Sequence, residues 1–161
     1  MDNLPQSQIR FLQILNHESA QAQSLLDLLK REYELLKSNP GKELEKLLAQ
    51  KQQQLKTVEQ SVLAHHRFLQ QQDLSCDRRG TESYLAQCRD NPSLADAWEH
   101  YVTLLQACHK QNEINGGAVT INQRQVNQAL NLLLSLGDGN KTYGRSGETR
   151  PNRPSNTLGK A

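Results

Sequence analysis
With 161 residues, 35% hydrophobic content and only 4% aromatic content, the chain is too polar for a thick globular core and suits one elongated domain. No run of 18 apolar residues occurs, so no membrane-spanning segment is expected. The net charge of +2 belongs to the C-terminal tail alone, where five basic residues against two acidic ones give +3 and leave −1 for the body, a slight electrostatic footprint for a nucleic-acid partner.

In chain order, the first helix is predicted over residues 4–37. Leu12, Ser19, Leu26 and Tyr33 form one heptad ladder, and Leu15, Ala22, Leu29 and Leu36 form its companion. Ser38-Asn39-Pro40-Gly41 then breaks the chain, with Asn39 able to cap and Pro40 suited to a first helical position. The second helix, about 40–73, carries Leu48, Leu55, Val62 and Leu69 on one ladder and Leu44, Lys51, Val58 and His65 on the other. A loop this short folds the two into an antiparallel hairpin with arms near 50 Å, at about 1.5 Å per residue. Lys51 in that ladder reads as an aliphatic stem lying along apolar surface with its ammonium in water.

Residues 74–81 read as a connection, followed by a short helix over 82–90 with Thr81 as its cap. Asn91-Pro92 ends it and opens a third long helix, whose cap Ser93 and Asp96 can support. In this last helix Trp98, Leu105, Asn112, Val119, Val126 and Leu133 recur every seven residues, beside Leu94, Tyr101, Cys108, Asn115, Asn122, Ala129 and Leu136. Both ladders keep their register across Gly116-Gly117, so one continuous helix is expected, softened there by about 1 kcal/mol per glycine. The alternative is a break at the two glycines, with residues 118–121 as a short extended stretch. After Leu136 the helical signal ends. Residues 137–161 are rich in Gly, Pro, Ser, Thr and Asn and are expected to be a disordered tail following a 1–136 helical domain.

No chemistry-bearing constellation accompanies these helices. The histidines (His17, His65, His66, His100, His109) and cysteines (Cys76, Cys88, Cys108) show no metal-ligand spacing, and no phosphate loop or nucleophile motif occurs. Neither an enzyme, a cofactor nor a metal is expected. The odd cysteine count fits free thiols in a reducing compartment, and the N-terminus lacks the pattern of a secretory signal.

The order of features resembles the FlgN family of flagellar export chaperones. The resemblance rests on two long N-terminal helices with Lys51 in an apolar ladder, and on Trp98 opening the third. It extends through Asn112 and Asn115-Gly116, the Ala129-Leu130…Leu133 stripe and the tail Tyr143-Gly144-Arg145-Ser146-Gly147, covering the chain to about residue 148. It implies an all-α elongated antiparallel bundle of three long helices and one short one. It also implies a cytoplasmic protein that covers the terminal amphipathic helices of hook–filament junction subunits and delivers them to the flagellar type III export machinery. Client contact is then expected on the third long helix, at Trp98, Leu105, Val119, Val126, Leu130, Leu133 and Leu134, and export-gate docking at Tyr143 and Gly144. Trp98 and Leu105, with Tyr101, read first as the bundle's own core, whereas Val126, Leu130, Leu133 and Leu134 sit where the stripe widens and are left for a partner. Two other classes compete. A homo-oligomeric coiled-coil scaffold would associate through the same stripes without any client, and a nucleic-acid adaptor would use the basic tail.

Overall fold
Heptad-spaced apolar residues and a dearth of β-branched ones wind the described chain into the helices α1 (Gln6–Lys37), α2 (Lys42–Gln71), α3 (Arg78–Gln87) and α4 (Pro92–Asn115). The computed structural model describes residues 4–38, 41–116 and 128–133, and the last six of these are also helical. The described chain is all-α. At 32 residues, α1 is about 48 Å long and forms the spine, packed along both α2 and α4. Cross-helix bonds set the directions. Arg10 to Gln71 and Glu32 to Lys51 make α2 antiparallel to α1, while Gln8 to Asn91 and Ala22 to Cys108 make α4 parallel to it.

The ladders face inward as their spacing requires. Leu15, Ala22, Leu26 and Leu29 of α1, Leu55, Val58, Val62 and Leu69 of α2, and Leu94, Trp98, Tyr101, Leu105 and Cys108 of α4 are all buried in one cluster. Ala129, Leu130 and Leu133 belong to the same cluster. Its aromatic end is built around Phe11, which stacks on Phe68 at 4.7 Å and meets Tyr84 edge-on at 4.9 Å.

Helix ends explain where the structure departs from expectation. Pro40 and Asn39 lie outside the described residues. The N-cap of α2 is Gly41, at φ +48°, a backbone setting that glycine adopts without strain. The C-terminus of α2 closes in a Schellman motif: Asp73 at φ 55° donates its N–H to Gln70 O, and Leu74 N–H reaches Leu69 O. Leu74 then packs against the core.

The short helix begins four residues before its expected start. Asp77 caps it by accepting from Gly80 N–H at 3.0 Å, and Thr81, expected at the cap, is buried inside the helix. Gly80 has poor helix propensity, yet it is there for space. A Cβ at Gly80 would lie 1.8 Å from the Ser75 carbonyl oxygen. Gly80→Ala should therefore destabilise by about 2 kcal/mol, although alanine is the better helix former by about 1 kcal/mol. A urea midpoint equal to or above the wild type's would show that the Ser75 loop moves aside freely.

α4 opens at Asn91-Pro92 as expected, but no side chain closes its cap; Asn91 Nδ2 instead donates to Gln8 Oε1 at 3.2 Å. The expectation of a helix continuous through the two glycines is corrected. α4 ends at Asn115, and Gly116 is extended at φ −65°, ψ 125°.

Candidate functional site
Two buried polar layers cross the bundle, spaced two heptads apart on each of three helices. One joins Glu18, His65 and Tyr101, and the other joins Glu32, Lys51 and Asn115. In the second layer Lys51 Nζ donates to Glu32 Oε1 at 2.7 Å, with both side chains almost fully buried. This corrects the expectation of a solvated ammonium: the stem carries its charge inward to a carboxylate of α1. Asn115 Nδ2 donates to Glu32 Oε2 at 3.0 Å and to Leu29 O at 2.7 Å, while Asn115 Oδ1 accepts from Gln111 Nε2. Both carboxylate oxygens of Glu32 are therefore bonded, which is what a charge removed from water requires.

In the first layer His65 lies between Glu18 Oε2, 2.8 Å from Nδ1, and Thr81 Oγ1, 3.1 Å from Nε2. The Thr81 hydroxyl donates to Asp77 O, so its oxygen accepts from His65 Nε2–H. The bond between His65 Nδ1 and Glu18 Oε2 then needs one further proton, held by one of the two. Tyr101 faces the same carboxyl, and neither Tyr101 Oη nor Glu18 Oε1 is in full hydrogen-bond geometry with any described group. Burial pushes the Glu18 carboxyl above its ordinary value of 4.5, against the opposing pull of His65. The order carboxylate–imidazole–hydroxyl is that of nucleophilic triads, yet Thr81 is fully buried and its proton is engaged by Asp77 O, so this hydroxyl does not face solvent.

The sign of the pH dependence follows. A carboxyl whose folded value is raised contributes stability that is complete below its unfolded value and is lost as pH climbs through the folded one. From pH 5 to 8 the wild type should lose stability relative to Glu18→Gln, by at most about 1.4 kcal/mol per pH unit. His66, whose neutral form burial favours, shifts stability the other way, but it does so in both chains and cancels in the difference. Urea unfolding of the two proteins at each pH checks this. A gap that is constant with pH would mean that Glu18 does not titrate in that range.

The expected client residues divide sharply. Trp98 is 8% exposed and Leu105 is fully covered, both within the core between α1 and α4, as their reading as bundle core requires. Leu130 and Leu133, expected to be free for a partner, are covered as well: the helical turn at 128–133 lays them into the core cluster. Val119, Val126, Leu134, Tyr143 and Gly144 lie outside the described residues. Among the described residues of this part of the chain, the large apolar side chains that do face water are Ile114, on the last turn of α4, and Leu132, each 51% exposed. Neither lies on the two ladders, which is why heptad counting passed over them. Among the described residues no group of His, Cys, Asp and Glu is arranged to hold a metal. All three cysteines are free, and burial pushes the Cys108 thiol up to about 12 while its S–H donates to Ala22 O.

Comparison with protein families matches residues 1–151 to the model described as FlgN protein. Among solved structures the chain is similar to a crystal structure from Pseudomonas aeruginosa described as a flagella synthesis protein FlgN. The TM-score is 0.64 at 26% identity, covering 76% of this chain and 94% of that one. Comparison with curated proteins returns no match.

Proposed function
This chain belongs to the FlgN family and has a flagella-related role, and from that premise we propose that it is a cytoplasmic export chaperone for hook–filament junction subunits. It covers their terminal amphipathic helices, prevents premature association and delivers them to the flagellar type III export apparatus. The observation that carries this reading is the pair of half-exposed apolar side chains, Ile114 and Leu132, flanking the segment that follows α4. A client helix that buries its stripe only in the finished filament needs such a surface, and the helix-in-groove mode supplies it. Client contact accordingly runs from Ile114 through Val119 and Val126 to Leu132 and Leu134. Trp98 and Leu105 support it from the core. Tyr143 and Gly144 dock to the export gate, where a single aromatic buries a large area at low side-chain entropy cost. No described helix is long and apolar enough to cross a membrane, which is compatible with this location.

Calorimetric titration with synthetic peptides spanning the C-terminal helices of junction subunits from the same bacterium tests the reading. Saturable binding at about 1 μM or tighter is expected. Ile114→Asp and Leu132→Asp should each weaken it about tenfold or more without loss of folding, because both side chains already face water. Leu63→Asp, on the equally exposed position of α2, should leave it unchanged. Absence of binding, together with a stable homo-oligomer in light scattering, would instead favour the coiled-coil scaffold.

A further inference from the structure
The inward face of α4 changes character after Cys108. Up to that residue α4 is held by apolar burial, through Leu94, Trp98, Tyr101, Leu104, Leu105 and Cys108. From His109 to Asn115 no apolar side chain faces the bundle: the buried positions are Asn112 and Asn115, and the only large apolar side chain, Ile114, points to water. These seven residues prolong an existing helix without apolar burial of their own, and most helical stability in proteins comes from the packing of an apolar face. The last two turns therefore depend on polar fastening. Asn112 has a partner of its own. At the very end both amide protons of Asn115 are committed, one to Leu29 O and one to Glu32 Oε2, and Glu32 is in turn held by Lys51. The side chain thus ties α4 to the backbone of α1 and, through Glu32, to α2.

Bulk stability does not account for this arrangement. A buried ion pair repays its desolvation only with ideal partners, and apolar side chains of similar volume commonly stabilise a bundle as well or better. What apolar side chains would not supply is a fixed end point. A heptad ladder by itself does not distinguish registers that would pair Cys108 with Leu29 or Asn115 with Ala22, whereas the two amide bonds of Asn115 form only where Leu29 O and Glu32 coincide.

We propose that Asn115 is a positioning residue for client binding: it pins the last two turns of α4 to the hairpin, so that Ile114 and the point where the chain leaves the helix at Gly116 are presented in one arrangement. The binding half of this inference rests on the chaperone reading above; the pinning half does not.

Amide hydrogen exchange of the full chain, with the peptide titration alongside, tests both halves in wild type, Asn115→Ala and Asn115→Asp. The alanine variant removes the tether, and the aspartate variant sets a second carboxylate against Glu32. Exchange over residues 109–116 should accelerate in the order wild type, alanine, aspartate, with α1, α2 and α3 unchanged. Peptide affinity should fall in the same order, about tenfold if the end of α4 is correctly placed in about one molecule in ten. Should the aspartate variant fail to fold, the alanine variant carries the comparison. Wild-type exchange rates over 109–116 in the variants would overturn the pinning. Accelerated exchange with unchanged peptide affinity would overturn the positioning role. A wild type that binds no peptide would overturn the chaperone reading instead, and the exchange data would still decide the tether.

Discussion

Replacing Lys51 by methionine should lower the unfolding free energy by about 3–5 kcal/mol, one of the largest single losses available in this bundle. Methionine fills the space and keeps the apolar stem, so little packing is lost. What remains is the Glu32 carboxylate, almost fully buried, with Asn115 Nδ2 as its one other bonded donor among the described residues. A charge left in that position is desolvated and without a counter-charge, which is costly. Against a typical total of about 5–15 kcal/mol, such a loss takes a large share of the stability and lowers the melting temperature by roughly 10–15 °C. The double variant Lys51→Met/Glu32→Leu should recover most of it, because the penalty comes from the orphaned charge and not from the missing bond. Calorimetric unfolding of the single and double variants decides the matter. A single variant within 1 kcal/mol of wild type, on the order of a typical solvated pair, would mean that water reaches Glu32 readily.

Phe11→Ala should cost a comparable 3–5 kcal/mol, the usual range for removing a buried phenylalanine. Phe11 is fully buried where α1, α2 and α3 meet, stacked on Phe68 and edge-on to Tyr84 and to His65 at 5.2 Å. Three aromatic partners leave a hole whose walls are rigid rings that cannot collapse inward, so the cavity penalty should be near the top of its range. Phe11→Leu keeps most of the volume and should cost about 1.5 kcal/mol, its loss reporting the ring contacts and the further loss in Phe11→Ala reporting the volume. Urea denaturation of both, read by tyrosine and tryptophan signals, checks the order. Equal losses would assign the whole effect to the ring contacts.

Heptad counting read burial well because burial is what a repeating apolar position encodes. Trp98, Leu105 and Asn112 on one ladder of α4, and Leu94, Tyr101, Cys108 and Asn115 on the other, are all covered. The hairpin of α1 and α2 and the start of α4 at Asn91-Pro92 were equally legible, since proline and asparagine mark chain breaks through local backbone sterics. What ladders do not encode is who covers a position. Leu130 and Leu133 look the same whether the bundle or a client lies against them, and the chain's own body covers them here.

The same limitation hid the end of α4. An asparagine in an a or d position weakens a seam in the ladder picture, but in space Asn115 is a fastener whose acceptors sit on another helix. Glu18 and Glu32 were overlooked because acidic residues are common on any polar helix face. The available signal was relational: they stand two heptads apart, the same interval that separates Lys51 from His65 on α2 and Tyr101 from Asn115 on α4. The start of α3 was misplaced for a different reason. Gly80 weighs against helix in any local scale, and only the approach of the Ser75 carbonyl gives its lack of a side chain a purpose.

That shared interval ties the lengths of three helices together. Deleting one heptad of α2 between Lys51 and His65 would leave one of these two side chains facing the wrong turn of α1, with a buried carboxyl stranded opposite Leu44 or Gln72. A coordinated removal of seven residues from α1 between Glu18 and Glu32, from α2 between Lys51 and His65, and from α4 between Tyr101 and Asn115 would bring all six side chains back into phase. Shortening or lengthening this bundle is therefore tolerable only as a concerted change in three distant stretches of the chain, whereas indels beyond either layer, at the hairpin tip or in the loops, escape that constraint.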